Sequence, residues 1–256
     1  MVREDYIAVC DSGLHKLELF RHSPFAYLVS SVVAGILIAL GGVAAVTAGG
    51  LSAAAGSGIP RLLTAVVFAA ALSLVVAAGC DLFTGNNLVL GAASMRGNVP
   101  WRSTLVLWAI CWAGNLLGSL VIAGLFGATG VVSDGGDIAQ AFAAAATSKV
   151  HMTAAALLAR GILCNVCVCL AVWCSYRLKN EAARLIMVFW CIVIFMVCGY
   201  EHSVANMGIL SVALISGADV TVGACLRNLM LVTIGNVIGG VVFVALPYCL
   251  IARGEA

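Results

Sequence analysis

The sequence predicts an all-α membrane protein with six transmembrane helices in two inverted three-helix repeats, the second and fifth helices broken. Three observations carry this. Charged residues make up 9% of the chain and hydrophobic residues 63%, against about 25% charged in a soluble domain, so a globular surface in water could not be covered. The apolar residues form six runs: Phe25–Ala48, Leu62–Met95, Thr104–Phe126, Met152–Tyr176, Leu185–Ile215 and Leu229–Ile251. The second and fifth runs exceed the about 20 residues of one crossing, and each is interrupted by glycine and polar residues. A net charge of +2 is too small to suggest a nucleic-acid partner.

In chain order, residues 1–22 are polar and charged, without the apolar core of a cleavable signal. Tyr6, Ile7, Val9, Leu14, Leu17 and Phe20 can share one stripe, which predicts an amphipathic helix on the cytoplasmic membrane surface. Residues 23–130 then form the first repeat, 131–150 an outer linker with Asp134 and Asp137, and 151–256 the second repeat.

The repeat is read from matched residues. Gly79-Cys-Asp-Leu-Phe-Thr-Gly-Asn86 interrupts the second run and Gly199-Tyr-Glu-His-Ser-Val-Ala-Asn206 the fifth. Gly79 aligns with Gly199, Asp81 with Glu201 and Asn86 with Asn206. Gly114-Asn115-x-x-Gly118 in the third run mirrors Gly235-Asn236-x-x-Gly239 in the sixth, and Gly35-Ile36-Leu37 mirrors Gly161-Ile162-Leu163. Because each copy holds an odd number of crossings, the second copy is inverted. Inverted repeats with one broken helix apiece are the architecture of transporters and channels. Irregular backbone at that depth is tolerated only inside protein or beside a cavity.

Lysine and arginine set the orientation. With the N-terminus inside, the inner segments hold Arg3, Lys16, Arg21, Arg96, Arg102, Arg177, Lys179, Arg184 and Arg253, and the outer loops only Arg61, Lys149 and Arg227. Both termini are therefore expected in the cytoplasm, in a plasma (bacterial inner) membrane. Most of the 11 cysteines lie in apolar runs. The C-x-x-C at Cys164 and Cys167 lacks a second ligand pair, so the cysteines are read as packing residues in a reduced compartment, with no metal and no cofactor.

His202 is the first candidate for chemistry. An imidazole inside a broken membrane helix can line a path and handle protons; the plain alternative is a packing residue bonded to a carbonyl. Asp81 and Glu201 are read as structural, accepting the N–H groups freed where each helix breaks, with Asn86 and Asn206 as caps of the restarting half-helices. The hydroxyls of Thr84 and Ser203 suit an anion or a carbonyl. Freed amides at half-helix N-termini favour negative charge. Lys149 would attract an anion, or is simply a solvated loop lysine. Arg160 is expected to snorkel outward. Phe68, Leu72, Leu82, Phe83, Val168 and Phe195 are core packing by default, or apolar collars that stop ions from leaking.

Asp-Leu-Phe-Thr at 81–84, Glu-His-Ser-Val-Ala-Asn-Met at 201–207 and Thr-Ile-Gly-Asn-Val-Ile-Gly-Gly at 233–240 resemble the formate/nitrite transporter family, and the similarity runs from Ser23 to Tyr248. The resemblance implies a homopentamer of aquaporin-like protomers, each with its own pore. It implies an Ω-loop carrying Thr84, an S-loop carrying His202, an outer lysine at Lys149, a fourth-helix asparagine at Asn165 and a further pore-side polar group at Asn228. Phe68, Val168 and Phe195 would form the outer constriction, and Leu72 and Leu82 the inner one. Tyr200 before the Glu-His-Ser motif, the Asp81–Asn86 sequence and Arg160 before Gly161 look most like the nitrite branch.

The expected function is therefore passage of a small monovalent weak-acid anion, nitrite first, with protons as co-partners and lipid as surroundings, and no enzymatic activity. Formate and hydrosulfide are the alternatives within the family. A neutral-solute or water pore is a rival from another class, against which Glu201 and His202 argue. A haem or quinone anchor is another, but it calls for inward histidines on more than one helix. Only His202 lies mid-membrane, His151 being at a boundary.

Overall fold

The computed structural model describes residues 2–255, which are helical nearly throughout and contain no strand. Helix α1 (Val2–His22) precedes α2 (Pro24–Ala54), α3 (Pro60–Ala78), α4 (Phe83–Arg96) and α5 (Trp101–Ala128). Next come α6 (Asp137–Val150), α7 (Ala154–Arg177), α8 (Glu181–Cys198), α9 (Ser203–Ile215) and α10 (Val222–Gly240). A π turn over Val241–Ala245 joins α10 to α11 (Leu246–Gly254). Six of these rods are long and apolar enough to cross a membrane: α2, α3, α5, α7, α8 and the continuous 222–254 segment. Four of the starts carry a side-chain cap from a hydroxyl or an amide. The side chains of Ser23, Thr153, Asn180 and Thr221 each accept from the backbone amide three residues on.

Both predicted breaks are present. α3 ends at Gly79 (φ +68°) and α8 at Gly199 (φ +71°). Both are left-handed turns that a Cβ would oppose. After four non-helical residues the chain restarts as α4 and α9. These half-helices are the core of the molecule: every residue of 81–94 and of 201–210 is buried. Backbone that leaves helical bonding is thus enclosed by protein, as a membrane interior demands.

The duplication shows in how the repeats pack. In the first, α5 lies against α2 so closely that a Cβ on Gly35 would stand 2.7 Å from the Asn115 Cα. In the second, α10 lies against α7, and a Cβ on Gly235 would stand 2.6 Å from the Leu158 carbonyl oxygen. The glycines that revealed the repeat are those that let each helix pair touch backbone to backbone.

Two expectations need correction. α1 does not spread its apolar stripe on a lipid surface. Tyr6, Val9 and Leu17 are buried in protein, the Tyr6 hydroxyl donates to the Ala92 carbonyl (3.0 Å), and Gly13 lets α1 close against Ala93. Arg96 and Arg177 hold the same helix through Asp11 and Asp5. The linker 131–150 is not only a loop. Its second half is α6, alanine-rich and therefore strongly helix-forming, which buries Phe142 and Ala146 and carries Lys149 inward.

Candidate functional site

Each break is held by one asparagine from the third helix of its repeat. Asn115 Oδ1 accepts from the Phe83 amide (2.9 Å), while its Nδ2 donates to the carbonyls of Ser31 (2.7 Å) and Asp81 (3.0 Å). Asn236 repeats this: Oδ1 accepts from the Ser203 amide (2.9 Å), and Nδ2 donates to Gly161 (2.8 Å) and Glu201 (3.0 Å). The expectation that Asp81 and Glu201 would accept the freed amides is therefore wrong. Asn115 and Asn236 take the first amide of each half-helix, because both ends of one side-chain amide can serve the carbonyl before the break and the N–H after it.

The carboxylates turn instead to lysine. Lys16 Nζ donates to Asp81 Oδ1 at 2.5 Å, and Ser30 Oγ donates to Oδ2 at 2.7 Å. Lys149 Nζ donates to both oxygens of Glu201, at 2.9 and 3.1 Å. Asn86 and Asn206 are not caps. Each lies inside its half-helix and donates back to the carboxylate five residues earlier, Asn86 to Asp81 (3.2 Å) and Asn206 to Glu201 (2.6 Å). Lys149 is thus neither a solvated loop lysine nor a free attractor of anions, because its charge is neutralised by Glu201. Both lysines come from helices outside the repeats, α1 and α6. Lys16 was missed as a site residue; the duplication was the available signal, since a lysine partner for Glu201 implies one for Asp81.

The halves meet at His202 and Thr84. His202, not Asn206, caps α9: its Nδ1 accepts from the Ala205 amide (3.0 Å). An amide can only donate, so Nδ1 carries the lone pair and the neutral ring holds its proton on Nε2. Nε2 lies 3.0 Å from Thr84 Oγ1 in the first turn of α4. The positive ends of two buried half-helices therefore converge on one hydrogen bond. The imidazole lies parallel to the Phe195 ring at 6.0 Å, and Phe195 meets Phe68 edge-on, also at 6.0 Å.

A cavity approaches this contact from each side. On the α6 side a small one of about 150 Å3 is lined by Phe68, Lys149, Phe195, Glu201, His202 and Asn206, among others. On the α1 side a larger one of about 680 Å3 reaches Leu72, Asp81, Leu82, Gly85 and Asn86. Thr84 is fully buried between them.

The remaining expected pathway residues do not line either cavity. Asn165 is buried and donates to the carbonyls of Thr84 (3.2 Å) and Asn236 (2.7 Å), fastening the first half-helix to the second repeat. Asn228 accepts from Asn206 (2.9 Å) and donates to the Lys149 carbonyl (3.0 Å), behind the ion pair. Phe83 and Val168 are buried packing residues. Ser203 is fully buried, and its Oγ has no hydrogen-bond partner among the described residues. Arg160 reaches the Gly199 carbonyl (3.2 Å) and so steadies the turn rather than only snorkelling.

Comparison with known proteins places this geometry. The sequence profile described as formate/nitrite transporter matches residues 3–250. The chain is 33% identical over 252 residues to the nitrite transporter NirC of Escherichia coli, covering 95% of this chain and 90% of the relative. Its fold matches a solved FNT family ion channel with a TM-score of 0.90 at 30% identity, covering 97% of this chain and 98% of that one. It also matches a pentameric formate channel with formate bound, with a TM-score of 0.78 at 27% identity, covering 91% and 99%. With two broken helices meeting between opposed cavities, six apolar crossings and a profile match along nearly its full length, this multi-pass membrane protein belongs to the formate/nitrite transporter family.

Proposed function

We propose that the chain conducts a small monovalent weak-acid anion, nitrite in the first place, and that the anion crosses the middle of the protein as its neutral acid beside Thr84 and His202. The observation that carries this is the Nε2···Oγ1 hydrogen bond of 3.0 Å, which joins the N-termini of α4 and α9 between the two cavities. In the resting geometry that bond closes the path. An arriving anion would replace Thr84 as the acceptor of the Nε2 proton, at a point where two helix N-termini favour negative charge.

The apolar groups set the next step. Phe68 and Phe195 on the α6 side and Leu72 and Leu82 on the α1 side offer no hydrogen bond, and a bare anion between them loses its hydration at a large cost. Gaining a proton removes most of that cost. The proton is drawn from water on the entry side, because the neutral imidazole has only its Nε2 hydrogen and Nδ1 is occupied by the Ala205 amide. Anion and proton enter on one side and leave on the other, so flux rises as the entry side is acidified.

The protomer assembles as a homopentamer, for which the likeness to the pentameric formate channel is the support. It sits in a bacterial inner membrane with both termini in the cytoplasm. The support is the gathering of Arg96, Arg177 and Arg253 beside α1 and of Lys149 and Arg227 at the opposite face. Nitrite is favoured by the sequence around Tyr200, Asp81–Asn86 and Arg160; formate follows, supported by the formate-bound structural relative. Flux of nitrite, formate, hydrosulfide and glycerol into proteoliposomes at fixed pH on both sides tests the reading. Nitrite flux that grows with entry-side acidity supports it, and glycerol passage without anion flux overturns it in favour of a neutral-solute pore.

A further inference from the structure

The two cavities differ in charge. On the α6 side the lysine that lines the cavity, Lys149, is matched by Glu201. On the α1 side His15, Lys16, Lys179 and Arg184 line the wall, and the acid among the lining residues, Asp81, is bound by Lys16. His15 stands 3.9 Å from Glu18 on the exposed face of α1. That leaves Lys179, in the turn between α7 and α8, and Arg184, in the first turn of α8, without an acidic partner among the described residues.

Arg184 is the more telling of the two. Its Nη2 donates to the Leu178 carbonyl (3.1 Å), which fixes the side chain across the turn. Its Nε is buried, with no acceptor among the described residues. Its Nη1 makes no hydrogen bond among the described residues, and the side chain lines an open cavity. Lys179 makes no side-chain hydrogen bond or ion pair among the described residues. A guanidinium nitrogen and a lysine ammonium side by side offer charge-assisted N–H donors to the oxygens of one small oxyanion.

We propose that Lys179 and Arg184 form an anion-binding station in the α1-side cavity, occupied by the permeating oxyanion on its way to or from the Thr84–His202 contact. The proposal rests on the transport reading above and adds to it an asymmetry. The station loads the α1 side at lower anion concentration than the α6 side, whose lining cation is already neutralised. Two-oxygen anions such as nitrite and formate engage it better than hydrosulfide.

The test uses the full chain in proteoliposomes, with orientation read from accessibility of an N-terminal tag. Unidirectional nitrite flux is measured from each face for the wild type, Lys179→Gln, Arg184→Gln and the double variant, with Arg184→Lys retaining the charge. For the double variant the half-saturating concentration from the α1 face rises about tenfold, a typical electrostatic loading effect, while that from the α6 face and the maximal rate stay unchanged. Arg184→Lys recovers part of the loss, and salt near 1 M, where screening acts within about 3 Å, narrows the difference. An unchanged α1-face value, or an equal rise from both faces, overturns the station.

Thermal stabilisation of detergent-purified protein by sodium nitrite, against sodium phosphate at equal ionic strength, keeps the two readings apart. Nitrite stabilisation of the wild type that the double variant loses upholds the station even if no flux is found, in which case the transport reading falls alone. Stabilisation by phosphate and not by nitrite overturns the permeating anion as occupant.

Discussion

Replacing Asn236 by leucine tests how the breaks are held. Leucine is close to asparagine in size, so the change removes hydrogen bonds without opening a large cavity. Two buried groups lose their partner, the Ser203 amide (2.9 Å) and the Glu201 carbonyl (3.0 Å), and the Gly161 carbonyl (2.8 Å), which keeps its bond within α7, loses a second one. An orphaned buried group costs about 1–3 kcal/mol. Allowing the neighbours to shift, the lower end of that range for the two orphaned groups, with about 1 kcal/mol for the lost bond to Gly161, gives about 3 kcal/mol. At the 2–4 °C per kcal/mol typical of 150–250-residue proteins, that is a fall of about 6–12 °C in melting temperature. Thermal unfolding of the purified protein, followed by tryptophan fluorescence, reads it directly. Asn115→Leu should cost a similar amount, since the same three kinds of bond are lost in the first repeat. If either variant melts within about 2 °C of the wild type, the claim that these asparagines replace the missing helix bonds is wrong.

Other outcomes follow from the same geometry. Lys16→Gln and Lys149→Gln each leave a buried carboxylate without its cation and should cost about 3–5 kcal/mol, whereas Lys149→Gln with Glu201→Gln recovers much of the loss in a double-mutant cycle of melting temperatures. Gly161→Ala should destabilise strongly, because its Cβ would come 2.9 Å from the Val232 carbonyl oxygen; a reduced yield of monodisperse protein on size exclusion checks it, and normal yield would show that α7 and α10 can spread. Thr84→Val keeps the shape but removes the acceptor of the His202 contact, so the protein should melt within a few degrees of the wild type while its pH-dependent nitrite flux changes. Phe195→Ala removes the ring beside both Phe68 and His202, and should raise chloride flux above the wild-type level.

The breaks were legible because glycine and polar residues inside an apolar run have few other uses, and because they occur twice. Gly79 and Gly199 are the left-handed turns, and Asp81 and Glu201 lie beside them. The partners were harder. Asn115 and Asn236 stand out in the sequence as repeat markers, but their bonds run to residues more than 30 positions away, and nothing local says where a side-chain amide will point. Asn86 and Asn206 read as caps because asparagine is a favoured helix cap, yet both donate back to the carboxylates, and His202 caps α9. Lys16 lies on a charged helix and has no local feature that separates it from a solvated lysine; only docking of α1 onto α4 carries it to Asp81. That docking was itself hidden, because an amphipathic stripe reports that something apolar covers it, not whether that is lipid or protein. The alanine-rich α6 had the propensity for a helix, but its position between the repeats suggested a loop.

The central claim is that a weak-acid anion crosses beside Thr84 and His202 as its neutral acid. Nitrite flux through proteoliposomes of the wild type and His202→Ala, across a range of entry-side pH at constant exit-side pH, tests it most directly. The account predicts wild-type flux that climbs as the entry side is acidified, and a variant in which that climb is flattened or lost. A variant whose flux and pH profile overlay those of the wild type would contradict it.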